Sequence, residues 1–281
     1  MSAQTGIGQS PNYVSQVFTL ARASVTQLVR PPSHSRRAEA ARRLARHSLL
    51  ITAIVGAVII ALMYALDARE IGLMPARGSA GLWLVRILTD FGKDTYVLFA
   101  LAGALLLIAV IAPRLRQSSR SVLLSFAIRL QFLFFAVLVA VLAGEVIKWL
   151  VGRGRPFVGG NANAFNFAPF TGTEAYASFP SGHAITAFAL AFAVAAVWPR
   201  ARVAMIVYAL MIALTRLVLL AHHPSDVVAG ALIGVVGAMF VRYWFAARHL
   251  GFAIRRDGTI VPLAGSSLGR LKRVARGASA P

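Results

Sequence analysis

The amino-acid sequence predicts an all-α, polytopic membrane protein with six spanning helices, and three observations carry that expectation. Of its 281 residues, 58% are hydrophobic and only 14% charged, with a mean hydropathy of +0.71. That is too apolar for an ordinary soluble domain. Six apolar segments, Ser48–Leu66, Thr95–Ala112, Leu130–Leu150, His183–Trp198, Val203–Ala221 and Val227–Phe245, come within a few residues of the ~20 needed to cross the hydrocarbon core. The net charge of +20 is dispersed between these segments instead of forming one basic face, which sets aside a nucleic-acid partner. Cysteine is absent, so disulfides and thiolate metal sites are excluded.

Residues 1–47 form a basic leader. Within it Val14, Val17, Phe18, Ala21, Val25, Leu28 and Val29 recur at helical spacing, the pattern of an amphipathic helix lying on a membrane surface. Pro31 and Pro32 end it, and Arg36, Arg37, Arg42, Arg43 and Arg46 follow. The leader is too long, and the next apolar run too close to spanning length, for a cleaved signal peptide. Residues 48–247 hold the six spans, with Arg129 read as the inner end of the third. The fourth span is short, which predicts a dent in the surface where its outer end stops below the headgroups. Residues 248–281 are a second basic segment, carrying Arg255, Arg256, Arg270, Lys272, Arg273 and Arg276, and read as a solvated topology signal.

Six spans divide the loops into two sets, and the charges divide with them. The set containing both termini, 113–121 and 199–202 is strongly basic, opposed only by Glu39 and Asp257. The positive-inside rule places that set in the cytoplasm, giving a bacterial-type inner membrane protein with both termini inside.

Three polar clusters, distant in the chain, then fall on the same extracytoplasmic side. The first is Lys148, Arg153 and Arg155-Pro156, with Glu145 placed to pair with Lys148 three residues on. The second is Pro180-Ser181-Gly182-His183, where small residues let backbone N–H groups face an anion at the start of an uncharged helix. The third is Thr215-Arg216, five apolar residues, His222, and Asp226. Arg216 lies in an apolar run, where a charge is costly without a partner or an anion. If the last span begins near His222, Asp226 shares its face, and its carboxylate can hold one imidazole nitrogen while the other stays free as nucleophile or base. Two histidines, a carboxylate and three cations suit phosphoryl transfer, with side chains neutralising the oxygens. No cofactor is required, and three neighbouring cations oppose a divalent metal.

These residues resemble the signature of the type 2 phosphatidic-acid phosphatase superfamily, which also includes vanadium haloperoxidases. Its Lys-x6-Arg-Pro, Pro-Ser-Gly-His and Ser-Arg-x5-His-x3-Asp parts correspond to Lys148…Arg155-Pro156, Pro180-Ser181-Gly182-His183 and Thr215-Arg216…His222…Asp226, with Thr215 replacing the usual Ser. The resemblance covers residues 48–247. It implies a six-helix PAP2-like bundle in which His222 attacks phosphorus, Asp226 orients His222 and His183 protonates the leaving group. Lys148, Arg155, Ser181, Gly182 and Arg216 would hold the phosphate, with Arg153 a rim contact. The expected substrate is a lipid phosphomonoester or pyrophosphate, with membrane lipids as surroundings. A phosphotransferase using the same phosphohistidine, and a lipid or anion transporter, are the alternatives.

Overall fold

The computed structural model describes residues 12–75, 78–160 and 163–263. Nine α-helices account for most of them: α1 (Tyr13–Val29), α2 (Arg37–Ala65), α3 (Asp67–Leu73), α4 (Trp83–Asp90), α5 (Asp94–Ile111), α6 (Gln117–Val151), α7 (Gly182–Val197), α8 (Arg202–Val218) and α9 (Pro224–Ala247). Among the described residues five helical stretches are long and apolar enough to span a membrane: α2, Ala80–Arg114, α6, Pro199–Val218 and α9. The sixth apolar helix, α7, has only 16 residues, as the short fourth segment predicted. The protein is thus an all-α, multi-pass membrane bundle.

Helix α7 occupies the middle. It packs against α6, α8 and α9, while α2 lies on α9 and α5 on α6. Backbone-to-backbone approach makes this possible. A Cβ built on Gly230 of α9 would fall 2.5 Å from the Ser181 carbonyl, and one on Gly234 would fall 2.5 Å from the Ile185 carbonyl. Alanine at either position would force α9 away from α7, so the small residues set the interhelical distance. The core between α6, α7 and α9 is filled by Phe132, Ala136, Val137, Ala140, Ile185 and Ala189.

The helix ends define two ends of the bundle. One gathers the C-termini of α2, α6 and α8 with the N-termini of α5, α7 and α9. There a connection from Gly152 to Ser181 folds back over the bundle, held by Ala168 N–H to Gly152 O (2.7 Å), Phe170 N–H to Trp149 O (2.9 Å) and Ser178 N–H to Arg153 O (3.0 Å). Gly152 caps α6 in the left-handed region (φ 55°), and a Cβ there would collide with the Ala168 carbonyl.

The opposite end departs from the sequence reading in two ways. Helix α6 starts at Gln117, so Arg129 lies inside the helix and not at its end; its guanidinium reaches the Leu263 carbonyl. Residues 252–262 are not simply a solvated tail. Strands β1 (Phe252–Ile254) and β2 (Ile260–Pro262) form a hairpin whose Phe252 and Ile254 are buried, with Phe252 edge-on to Phe132. An apolar strand beside a large aromatic finds its burial in the bundle despite the surrounding arginines. The tail cations Arg270, Lys272, Arg273 and Arg276 lie outside the described residues. Helix α1 covers the predicted stretch and has no buried residue; Val14, Phe18, Val25 and Val29 are all exposed.

Candidate active site

The N-terminus of α7 sits between α6 and α9 at the first of these ends. Ser181 is its N-cap, fully buried, with its N–H donated to the Asp226 carbonyl (3.0 Å). A Cβ built on Gly182 would lie 3.7 Å from Lys148 Nζ, so the ammonium of α6 reaches the opening turn of α7. Glu145 accepts a hydrogen bond from Lys148, as the three-residue spacing predicted. Arg155 is anchored on Glu174, its Nε to the backbone carbonyl (2.9 Å) and Nη2 to the carboxylate (2.7 Å). The Glu174 side chain is 92% exposed, a water-screened partner that a bound anion can replace.

Arg216 enters from the last turn of α8. It is buried, and its Nη1 donates to Thr89 Oγ1 (2.7 Å), a hydroxyl also 3.0 Å from that of Thr215. Ser181 Oγ, His183 Nε2 and Arg216 Nε are buried without a hydrogen-bond partner among the described residues. Unsatisfied buried polar atoms are uncommon enough to mark a site where a ligand completes the bonding.

His222 lies in the turn between α8 and α9. Its Nδ1 is 2.7 Å from the Ser178 carbonyl, which can only accept, so Nδ1 carries the proton and Nε2 presents its lone pair. Burial, reinforced by Arg216 and Arg155, pushes the pKa of this ring well below 6.5. His183 is a further, weaker influence on the ring, which places these four residues in one electrostatic neighbourhood.

The expected contact between Asp226 and His222 is not what the structure shows. Helix α9 begins at Pro224 with His223 as an extended N-cap (ψ 157°), so His222 precedes the helix and the four-residue spacing does not put it on the Asp226 face. As the third helical residue, Asp226 reaches back to the His223 N–H (Oδ2, 2.9 Å), the position a carboxylate takes in a capping box. The same oxygen accepts from Ser178 Oγ (2.6 Å), and Oδ1 accepts from Arg153 (2.6 Å). Asp226 is therefore linked to His222 through Ser178, hydroxyl on one side and carbonyl on the other.

Arg153 is no rim contact either: it is 1% exposed. Its guanidinium bridges Asp226 and Asp67 (Nη2 to Oδ2, 2.8 Å) and also donates to Ser225 Oγ (2.6 Å) and the Ala164 carbonyl (2.6 Å). Asp67, at the start of α3, further accepts from the Ser225 N–H (3.0 Å). Sequence reasoning missed Asp67, Thr89 and Ser178. Asp67 alone left a trace, as an acid closing an apolar run. Glu70, one turn on, is buried beside this group, with neither oxygen hydrogen-bonded among the described residues, and burial together with Asp67 and Asp226 raises its pKa to about 7. Among the described residues no three His, Asp or Glu side chains are arranged to hold a metal ion.

The protein is a multi-pass helical bundle that gathers two histidines and three cations at one end, around the N-terminus of α7. Residues 129–250, which include every one of those side chains, match the family model described as PAP2 superfamily. The chain is 40% identical over 127 residues to a Lipid A 1-phosphatase of Rhizobium johnstonii, covering 45% of this chain and 52% of that protein. It is 38% identical over 127 residues to a Lipid A 1-phosphatase of Rhizobium etli (45% and 55%). Over 113 residues it is 32% identical to the Bacitracin transport permease protein BcrC of Bacillus licheniformis (40% and 53%). The matches thus span about half the length of each curated relative. No solved structure matches the chain.

Proposed function

We propose that the protein is an integral membrane lipid phosphatase that hydrolyses a lipid phosphomonoester or pyrophosphate through a phosphohistidine. The observation that carries this reading is the meeting of three orphan donors, Ser181 Oγ, His183 Nε2 and Arg216 Nε, with the bare Nε2 of His222 at one end of the bundle. The PAP2 match and the names of the two rhizobial relatives support it.

In the first step His222 Nε2 attacks phosphorus as the bond to the lipid oxygen breaks, and His183 gives that oxygen a proton. Lys148, Arg155, Arg216 and the Ser181-Gly182 turn take up the charge on the phosphoryl oxygens. In the second step His183 removes a proton from water, whose oxygen attacks phosphorus. The P–N bond breaks, releasing inorganic phosphate and restoring His222. Asp226 acts through Ser178, which holds the Nδ1–H of His222.

Phosphate release from a panel of lipid phosphates by purified protein tests the reading. A lipid A 1-phosphate comes first, followed by undecaprenyl pyrophosphate, phosphatidic acid and phosphatidylglycerol phosphate. Release should survive EDTA, because the cations are side chains, and vanadate should inhibit as a five-coordinate mimic of the transition state. Loss on chelation with recovery on adding Mg²⁺ or Zn²⁺ would refute the mechanism. Label reaching a second lipid with no free phosphate would assign a phosphotransferase.

The charge asymmetry supports an extracytoplasmic position for this site. With no native cysteine, Thr173→Cys should react with an impermeant maleimide in intact cells and Ser118→Cys only after permeabilisation. Both positions are exposed, at opposite ends of the bundle. The reverse pattern would invert the orientation.

A further inference from the structure

The end of the bundle opposite the candidate active site carries a second basic pocket. Helices α8 and α9 both pack on α7 but hardly on each other, which leaves a cleft of about 350 Å³ over α7. Ala191 and Ala195 keep its floor low, and Ile206 of α8 and Val235 of α9 line its sides. Its polar groups are Arg202, exposed on the first turn of α8, and Arg242 on α9.

Arg242 has an unusual setting. It follows Val241 in the apolar helix α9, its guanidinium stacks 5.0 Å from the Phe192 ring, and its Nε is buried with no hydrogen-bond partner among the described residues. It also lines a second, smaller cavity on the α2 side, together with Arg43 and His47. Among the described residues no carboxylate pairs with Arg202 or Arg242. A cationic group inside an apolar helix with no counter-charge calls for an anion. The apolar cleft running from it calls for that anion to bear a hydrocarbon chain. Trp198 and Tyr243, neighbours in sequence of this end of α7 and α9, belong to the residue types that mark headgroup level.

We infer that this cleft holds one anionic phospholipid, its phosphate between Arg242 and Arg202 and an acyl chain along Ala191 and Ala195. A free phosphoester would leave the apolar length unused, and the choline of a zwitterionic lipid would bring a like charge to the arginines. The site is separate from the proposed chemistry, at the other end of α7.

Native mass spectrometry of the full chain, equilibrated in detergent with equal amounts of phosphatidylglycerol and phosphatidylcholine, tests this. One phosphatidylglycerol per protein should be retained in preference to phosphatidylcholine. Arg202→Gln/Arg242→Gln should cut that preference by about 30-fold, given the contribution of each of the two arginines near an anionic headgroup. Ala195→Trp, which fills the cleft without changing charge, should lower phosphatidylglycerol retention as well. Soluble glycerol 1-phosphate should not displace the lipid. Equal retention of both lipids by the wild-type chain, unchanged retention in the arginine variant, or displacement by glycerol 1-phosphate would each overturn the inference. Should Ala195→Trp fail to fold, the arginine variant decides alone.

Discussion

His222→Ala is expected to form no phosphoenzyme from any substrate and to lower kcat/KM by roughly 10⁴-fold or more, the scale on which loss of a nucleophile acts. The expectation follows from the ring's tautomer. Ser178 O at 2.7 Å fixes the proton on Nδ1, so Nε2 is available for attack without prior deprotonation. Its lowered pKa keeps it so. As pH falls through 6.5 the unfolded chain takes up a proton on this histidine while the folded one does not. The stability it contributes is therefore complete above 6.5 and declines below it. For the free enzyme the His222 acid limb of kcat/KM accordingly lies below 6.5. His183→Ala should behave differently. It should be slow with an alkyl phosphate, whose leaving alkoxide needs a proton, and much less impaired with p-nitrophenyl phosphate, whose leaving group departs unprotonated. Loss of the base for water attack should then let an acid-labile, base-stable phosphohistidine accumulate. Rapid-quench labelling with radioactive phosphate separates the cases, and label retained in His222→Ala would place the nucleophile elsewhere.

Arg153→Met is expected to be strongly destabilising, at about 3–5 kcal/mol, because it strands two buried carboxylates. Asp67 and Asp226 are both fully buried, and Arg153 is the cation joining them. Asp226 would retain Ser178 and the His223 N–H, and Asp67 would retain Ser225. The loss should therefore be severe without being complete. Adding Asp67→Asn removes one of the stranded charges and should recover part of the stability, a non-additivity diagnostic of direct coupling. Chemical unfolding in detergent of the two single variants and the double variant measures it. Strictly additive effects would show that Arg153 and Asp67 are not coupled.

The same network shows where reading the chain stops. Hydropathy is a property of consecutive residues, so the six apolar segments, the short α7 and the sorting of basic loops were legible from composition and spacing alone. The motif residues were legible for the same reason. Lys148 to Arg155, Pro180 to His183 and Arg216 to Asp226 are each separated by a few positions, and helical geometry carries all three to one end of the bundle. Hairpin 252–262 was not legible, because its three-residue strands are too short for a pattern and only docking against Phe132 gives β1 a buried face.

What the tertiary structure decided was which groups bond. Spacing paired Asp226 with His222 on the assumption of a shared helix. The helix begins two residues later, at Pro224, and the carboxylate turns back to the N-cap N–H, to Ser178 and to Arg153. Asp67 lies 86 residues from Arg153, so only the folded chain could bring its carboxylate to that guanidinium. Local sequence sets the direction of each helix and the end at which its polar residues emerge. A buried charge, however, takes whichever partner the packing of other elements supplies, because in a low-dielectric interior an unpaired one is too costly to keep.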